Sequence, residues 1–185
     1  MRYIIAKQST CFLALLEMII SDVLDYTFFT QDMLADYFGI NILRGQESDY
    51  SNITNIKLTS DYREIGVHLD EKQLDDLFIN TGIPLRTYYF PANQYGIDPV
   101  NKQKQTNDNK QYLIYTYSYG SLYHLPQYYR LGHVALLETV NANGTITVYD
   151  PGPKDAGVKT FKKSDMYDAM WDRRGGIYLF CRYDM

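Results

Sequence analysis

Cysteine, histidine and aspartate are the side chains in this sequence that together can break an acyl bond. Cys11 is one of two cysteines, and a thiol attacks a carbonyl only as its thiolate, a form that the positive end of a helix favours. Residues 11–23 carry Leu15, Met18, Ile19 and Val23 at three- and four-residue spacing, and Phe12, Leu16 and Ile20 widen the stripe almost all round. This predicts a largely buried helix with Ser9 and Thr10 as caps and Cys11 in its first turn. Taken alone, a cysteine beside Phe12 and Leu13 more often packs a core than reacts. Cys181, among Tyr178 and Phe180, is read as structural.

A thiolate needs an imidazole. Of the three histidines, His68 precedes a helix cap and His124 stands in a tyrosine-rich loop, positions that suit ordinary turn residues. His133 opens the apolar run Gly132-His133-Val134-Ala135-Leu136-Leu137, which would hold the ring rigidly at the mouth of a strand. A third group must then accept the other ring proton, and Asp150 ends the next predicted strand. Two hairpins are open. A four-residue loop over 140–143 would set His133 opposite Asp150 on one face, whereas a two-residue Asn143-Gly144 turn would set Asp150 opposite Leu137. Asp150-Pro151-Gly152-Pro153 is also a plain turn signal.

Helices are expected over 11–23, 30–38 and 71–80. The second has Thr30 as cap and Gly39 as stop; the third has an Asp70/Gln73 capping box and ends at Gly82. Residues 40–67 read as loop with short strands, and 91–110 as a polar loop. Strands are expected over 85–90, 112–119, 133–140, 145–149, 158–161 and 176–182, with a short helix over 164–171. Helices first and strands later give an α+β fold. No linker or repeat divides it, so a single domain over 1–185 is expected, helical to about residue 82 and sheet from about 83.

Together, Gln8-Ser9-Thr10-Cys11-Phe12-Leu13-Ala14, Gly132-His133-Val134-Ala135-Leu136-Leu137 and Val148-Tyr149-Asp150-Pro151 resemble the papain-like cysteine peptidases. The likeness is closest to the bacteriocin-processing peptidases at the N-terminus of some ABC exporters and to their stand-alone relatives. It implies a papain-like fold with N-terminal helices packed on an antiparallel sheet, and a catalytic triad of Cys11 as nucleophile, His133 as general base and acid, and Asp150 as its orienter. It also implies a glutamine before the nucleophile that helps hold the oxyanion. The family's glutamine stands six positions ahead of the cysteine, where this chain has Ile5; Gln8 is three ahead. Phe12 stands where many members have glycine.

The expected activity is a peptidase or amidase acting on a peptide or amide substrate through a thioacyl-enzyme. The same three residues would serve an acyltransferase or transpeptidase, and an inactive peptide-binding module on the same scaffold is the other alternative. Among the 19 tyrosines, Tyr112, Tyr115, Tyr117 and Tyr119 lie in one predicted strand, where the odd-numbered ones share a face and core packing is the favoured role. A net charge of -4 without a basic patch gives no reason to expect nucleic acid. No metal-ligand spacing, phosphate loop or dinucleotide fingerprint is present, so no cofactor and no metal are expected. The nearly uncharged stretch 9–20 contains Glu17 and is too short to span a bilayer, and residues 1–6 make a poor signal peptide. Two cysteines without a secretion signal favour a reduced, cytoplasmic setting.

Overall fold

The computed structural model describes residues 1–106, 111–129, 131–153 and 155–183. It is an α+β chain in two compact units: Met1–His68 with Pro151–Ala156, and Leu69–Asp150 with Gly157–Met185.

The first unit holds α1 (Cys11–Leu24), α2 (Gln31–Phe38) and a parallel pair of short strands, β1 (Ile40–Leu43) and β2 (Ile56–Thr59). As its all-round apolar pattern requires, α1 is buried from Phe12 through Ile20. Thr30 caps α2 through the Met33 N–H, and Gly39 at φ 81° ends it. Asp36 then ties the end of α2 to the start of β2, accepting from the Thr54 hydroxyl at 2.7 Å, the Thr54 N–H at 2.8 Å and the Asn55 N–H at 3.2 Å. The return segment joins this unit where the Ala6 N–H donates to the Pro151 carbonyl.

The second unit is a six-stranded antiparallel sheet. Its strands are β3 (Leu85–Pro91), β4 (Gln111–Ser118), β5 (Gly132–Val140), β6 (Thr145–Asp150), β7 (Gly157–Lys162) and β8 (Gly176–Arg182), in the order β3-β8-β4-β5-β6-β7. The helices are α3 (Glu71–Thr81), α4 (Ala92–Tyr95), α5 (Asp98–Thr106), α6 (Tyr119–Leu122) and α7 (Lys163–Arg173). One sheet face is set by Leu113, Tyr115 and Tyr117 of β4, Ala135 and Leu137 of β5, Ile146 and Val148 of β6, and Ile177 and Leu179 of β8. Met166, Ala169 and Met170 of α7 belong to the same core. Tyr115 and Tyr117 are fully buried there, while Tyr119 has left the strand to begin α6.

The predicted polar loop over 91–110 contains two helices, α4 and α5; its residues 107–110 lie outside the described ones. Val100 and Asn101 are buried in α5, and its sequence has no apolar stripe to betray a helix. The first compact unit ends at His68, and α3, which runs to Thr81 with its cap at Gly82, belongs with the sheet in the second. As predicted, α3 has the Asp70/Gln73 capping box and a left-handed Gly82. It also covers the edge strand. Asp75 accepts from the Thr87 N–H at 2.8 Å and Glu71 from the Tyr89 N–H at 2.7 Å, so N–H groups of β3 that would otherwise invite another chain are taken up. Among the described residues no helix is long and apolar enough to cross a membrane.

The hydrogen bonds of Thr54 and Asn55 hold the Asp36 carboxyl below its usual range. A carboxyl depressed in the folded state adds stability above its unfolded value, and that contribution fades as pH falls through the folded one. Asp36→Ala is therefore expected to lower the thermal midpoint at neutral pH, with the two proteins converging below about pH 4. A constant gap between their melting curves down to strongly acidic pH would contradict this.

Candidate active site

His133 and Asp150 come together through a register that neither expected hairpin supplies. The turn between β5 and β6 is a three-residue loop. The Asn141 N–H donates to the Thr145 carbonyl at 2.9 Å, and Gly144 takes φ 79°, the left-handed position such loops reserve for glycine. Val140 then pairs with Ile146 and Thr139 with Thr147, but beyond a bulge at Glu138 the pairs become Leu137 with Val148 and Leu136 with Tyr149. One further step sets Asp150 opposite Ala135, with His133 two residues along β5 on the same face. Had the pairing by the turn continued without the bulge, Asp150 would stand opposite Leu136, and His133 would point to the other face. The four-residue and two-residue loops are thus both replaced, and the two side chains meet diagonally across the strands.

The His133 Nε2 lies 2.7 Å from the Asp150 Oδ1. Both are buried, His133 at 8% exposure and Asp150 at 1%. The imidazole is walled edge-on by Tyr117 of β4, ring centroids 5.7 Å apart, and by Tyr119 of α6 at 5.3 Å. The Asp150 Oδ2 accepts from the Tyr123 hydroxyl at 2.5 Å and from the Lys159 ammonium at 3.1 Å. The same ammonium donates to the Tyr123 oxygen at 3.0 Å and sits 4.9 Å from that ring's centre. Burial first, then the Asp150 hydrogen bond and charge, push the Tyr123 phenol well up, so it stays protonated and donates.

Local chain geometry presents these rings. Ser118 caps α6 by accepting from the Ser121 N–H, and its hydroxyl donates to the Tyr129 carbonyl at 3.0 Å. The following turn folds so closely on α6 that a Cβ at Gly120 would stand 2.4 Å from the Tyr129 nitrogen and 2.5 Å from the Leu125 oxygen. Only glycine fits there. At Gly132, before His133, a Cβ would stand 2.9 Å from the Arg173 Nε, a side-chain atom rather than backbone.

Cys11 and Gln8 belong to the first unit. Cys11 is a half-buried free thiol at the first position of α1, as expected. The capping expectation is corrected. Thr10 occupies the N-cap position but makes no side-chain capping bond, because its buried hydroxyl turns to the Gln31 Oε1 at 2.5 Å and the Lys7 carbonyl at 3.0 Å. The Gln8 residue is exposed, and its carbonyl accepts from the Tyr50 hydroxyl at 2.5 Å. Gln31 is the glutamine built into the approach to Cys11. Its Oε1 also takes the Lys7 N–H at 2.9 Å, and its Nε2 donates to the Ile5 carbonyl at 3.2 Å. Its own N–H goes to the buried Glu17 carboxylate at 2.6 Å; burial raises the Glu17 carboxyl, and this bond partly offsets the rise.

No protein-family model matches the chain, and no curated protein matches it.

Sequence reasoning missed Lys159, Tyr123 and Gln31. The signal for Lys159 was ambiguous: Val158 and Phe161 fall on opposite faces of the strand, and in the structure Val158 is exposed while Lys159 and Phe161 turn inward. For Gln31 there was no signal, because the partners of its side chain lie over 20 positions away. Among the described residues no group of three or more His, Cys, Asp and Glu side chains is arranged to hold a metal ion.

Because the bulge decides which face Asp150 shares, deleting Glu138 is expected to cost on the order of 3 kcal/mol or more, through a one-residue slip that misfaces apolar side chains. Glu138→Ala, which keeps the extra residue, should change stability by about 0.5 kcal/mol or less. Urea denaturation of the two variants checks this; equal stabilities would mean that the register does not depend on the bulge.

Proposed function

We propose that this chain is a papain-like cysteine hydrolase of peptide or amide bonds, with Cys11 as nucleophile, His133 as general base and acid, and Asp150 holding the imidazole. The observation that carries the reading is the buried 2.7 Å bond between the His133 Nε2 and the Asp150 Oδ1. A carboxylate on one ring nitrogen fixes both the tautomer and the tilt of the ring, which assigns proton exchange with a reactant to Nδ1. Support also comes from the order of elements: a cysteine at the start of a buried helix, then an antiparallel sheet with histidine near the start of one strand and aspartate at the end of the next.

In the proposed reaction the Cys11 thiol proton passes to His133, and sulfur attacks the carbonyl carbon to form the C–S bond. Collapse of the tetrahedral adduct breaks the C–N bond, and the amine leaves with the proton from His133. Water then attacks the thioester, giving its proton to His133. The C–S bond breaks, the acid is released and the thiol regains its proton. Gln8, exposed and three positions ahead of Cys11, is given no part; backbone N–H groups at the start of α1 are the proposed oxyanion donors.

The two thiols provide the test. Burial pushes the Cys181 thiol up, with the Gln111 amide only partly opposing it, so Cys181 is an internal standard for an unactivated cysteine. Iodoacetamide near pH 7, read by mass spectrometry of each cysteine, is expected to label Cys11 at least about tenfold faster. His133→Ala is expected to slow Cys11 by about tenfold or more, within the range lost with a positioned base. Equally slow labelling of both cysteines, unaffected by His133→Ala, would overturn the proposal.

A further inference from the structure

The Asp150 carboxylate serves two positively charged or protonatable partners at once, and this has a consequence for the imidazole. Lys159 stands on β7, where Val148 pairs with Lys159 and Asp150 with Gly157. Its ammonium therefore reaches diagonally across to the Asp150 Oδ2 while the Oδ1 meets His133. The contact is no loose surface pair, since the lysine side chain is 23% exposed, the carboxylate 1%, and the Tyr123 ring and hydroxyl hold the ammonium from the side.

Resting on the proposed hydrolase reading, we propose that Lys159 is a positioning residue of the same site, fixing the Asp150 carboxylate through Oδ2 and, by its positive charge, keeping His133 neutral and able to accept a proton near neutral pH. The physical argument is a competition. An unopposed carboxylate at 2.7 Å would favour the imidazolium, and a base already protonated cannot take the proton of a thiol. Lys159 satisfies much of that negative charge in advance, so Asp150 orients the ring without holding it protonated. The bond from Tyr123 acts in the same direction and adds no charge.

Among the described residues, titratable groups that touch the pair include Tyr117 of β4, Tyr119 of α6 and Tyr123 at its end, and the Arg173 side chain of α7 lies against Gly132. Asp172 of α7 accepts from the Ser121 hydroxyl of α6 at 2.7 Å. All of these remain in every variant compared, so a difference reports on position 159.

The experiment is a pH titration of the His133 ring signals by NMR in the full chain, assigned by their loss in His133→Gln, for the parent, Lys159→Met and Lys159→Arg. Lys159→Met is expected to raise the His133 midpoint by about one pH unit, the size of effect a single neighbouring charge produces, and Lys159→Arg to restore it toward the parent value. The acid limb of Cys11 alkylation by iodoacetamide should move upward with it. A merely structural lysine would give no such directed shift reversed by arginine. An unchanged midpoint in a folded Lys159→Met protein overturns the inference, as does a shift that Lys159→Arg fails to reverse. If the midpoint moves while His133→Ala leaves Cys11 alkylation untouched, the hydrolase reading fails and the role of Lys159 on the dyad stands.

Discussion

A carboxylate with 1% of its surface exposed has lost the water that would otherwise stabilise its charge, and the protein must answer both of its oxygens. Asp150 is answered from three directions: an imidazole on Oδ1, and a phenol and an ammonium on Oδ2. Those donors come from β5, the end of α6 and β7, at 17, 27 and 9 positions from Asp150 in sequence. The buried charge thus places a requirement on the pairing of three strands and on the docking of one short helix. The features that look idiosyncratic in the second unit serve that requirement. The bulge at Glu138 puts His133 on the right face, the tight turn over Gly120 delivers Tyr119 and Tyr123, and Gly132 leaves space for the Arg173 side chain.

The same face carries the hydrophobic core, and this continuity gives the pair its rigidity. Along β4, β5 and β6 the inward residues run from Leu113, Leu137 and Ile146 at one end to Tyr117, His133 and Asp150 at the other. The polar cluster is the last layer of a close-packed core, and its rings sit in edge-on contact with that core's aromatics. A side chain packed this way is oriented by its neighbours alone.

How much of this could be read from sequence follows the range of the interactions. Helices α2 and α3 were legible down to their caps, because Thr30, Asp70 and Gln73 bond within their own first turns and Gly39 and Gly82 stop the chain locally. His133 and Asp150 were legible as strand-end residues, but their register was not. It depends on an extra residue at Glu138, where neither charge nor size marks a bulge. Helix α5 was hidden by its polar composition, although the sequence Asp98-Pro99 is an ordinary helix opening. Lys159 was hidden more thoroughly. Val158 and Phe161 fall on opposite faces of the strand, so alternation does not say which face turns inward, and the face that does carries Lys159 to the buried Asp150 carboxylate and leaves Val158 exposed.

The approach to Cys11 in the first unit shows the same preference for orientation from a distance. A serine, threonine or aspartate at an N-cap ordinarily places its oxygen against the first-turn N–H groups and offsets the helix's positive end. Thr10 is a threonine in that position, yet its hydroxyl is turned to Gln31 and to the Lys7 carbonyl, and the first turn of α1 carries no acidic residue. The segment that leads into the helix is instead fixed by Gln31 through Ile5, Lys7 and Thr10, with Glu17 beneath it and the Tyr50 hydroxyl on the Gln8 carbonyl. Between these bonds Ser9 takes φ 65° without the freedom of glycine. The turn before Cys11 is therefore held from outside the helix, and no side-chain acceptor from the cap offsets the positive end on which Cys11 sits.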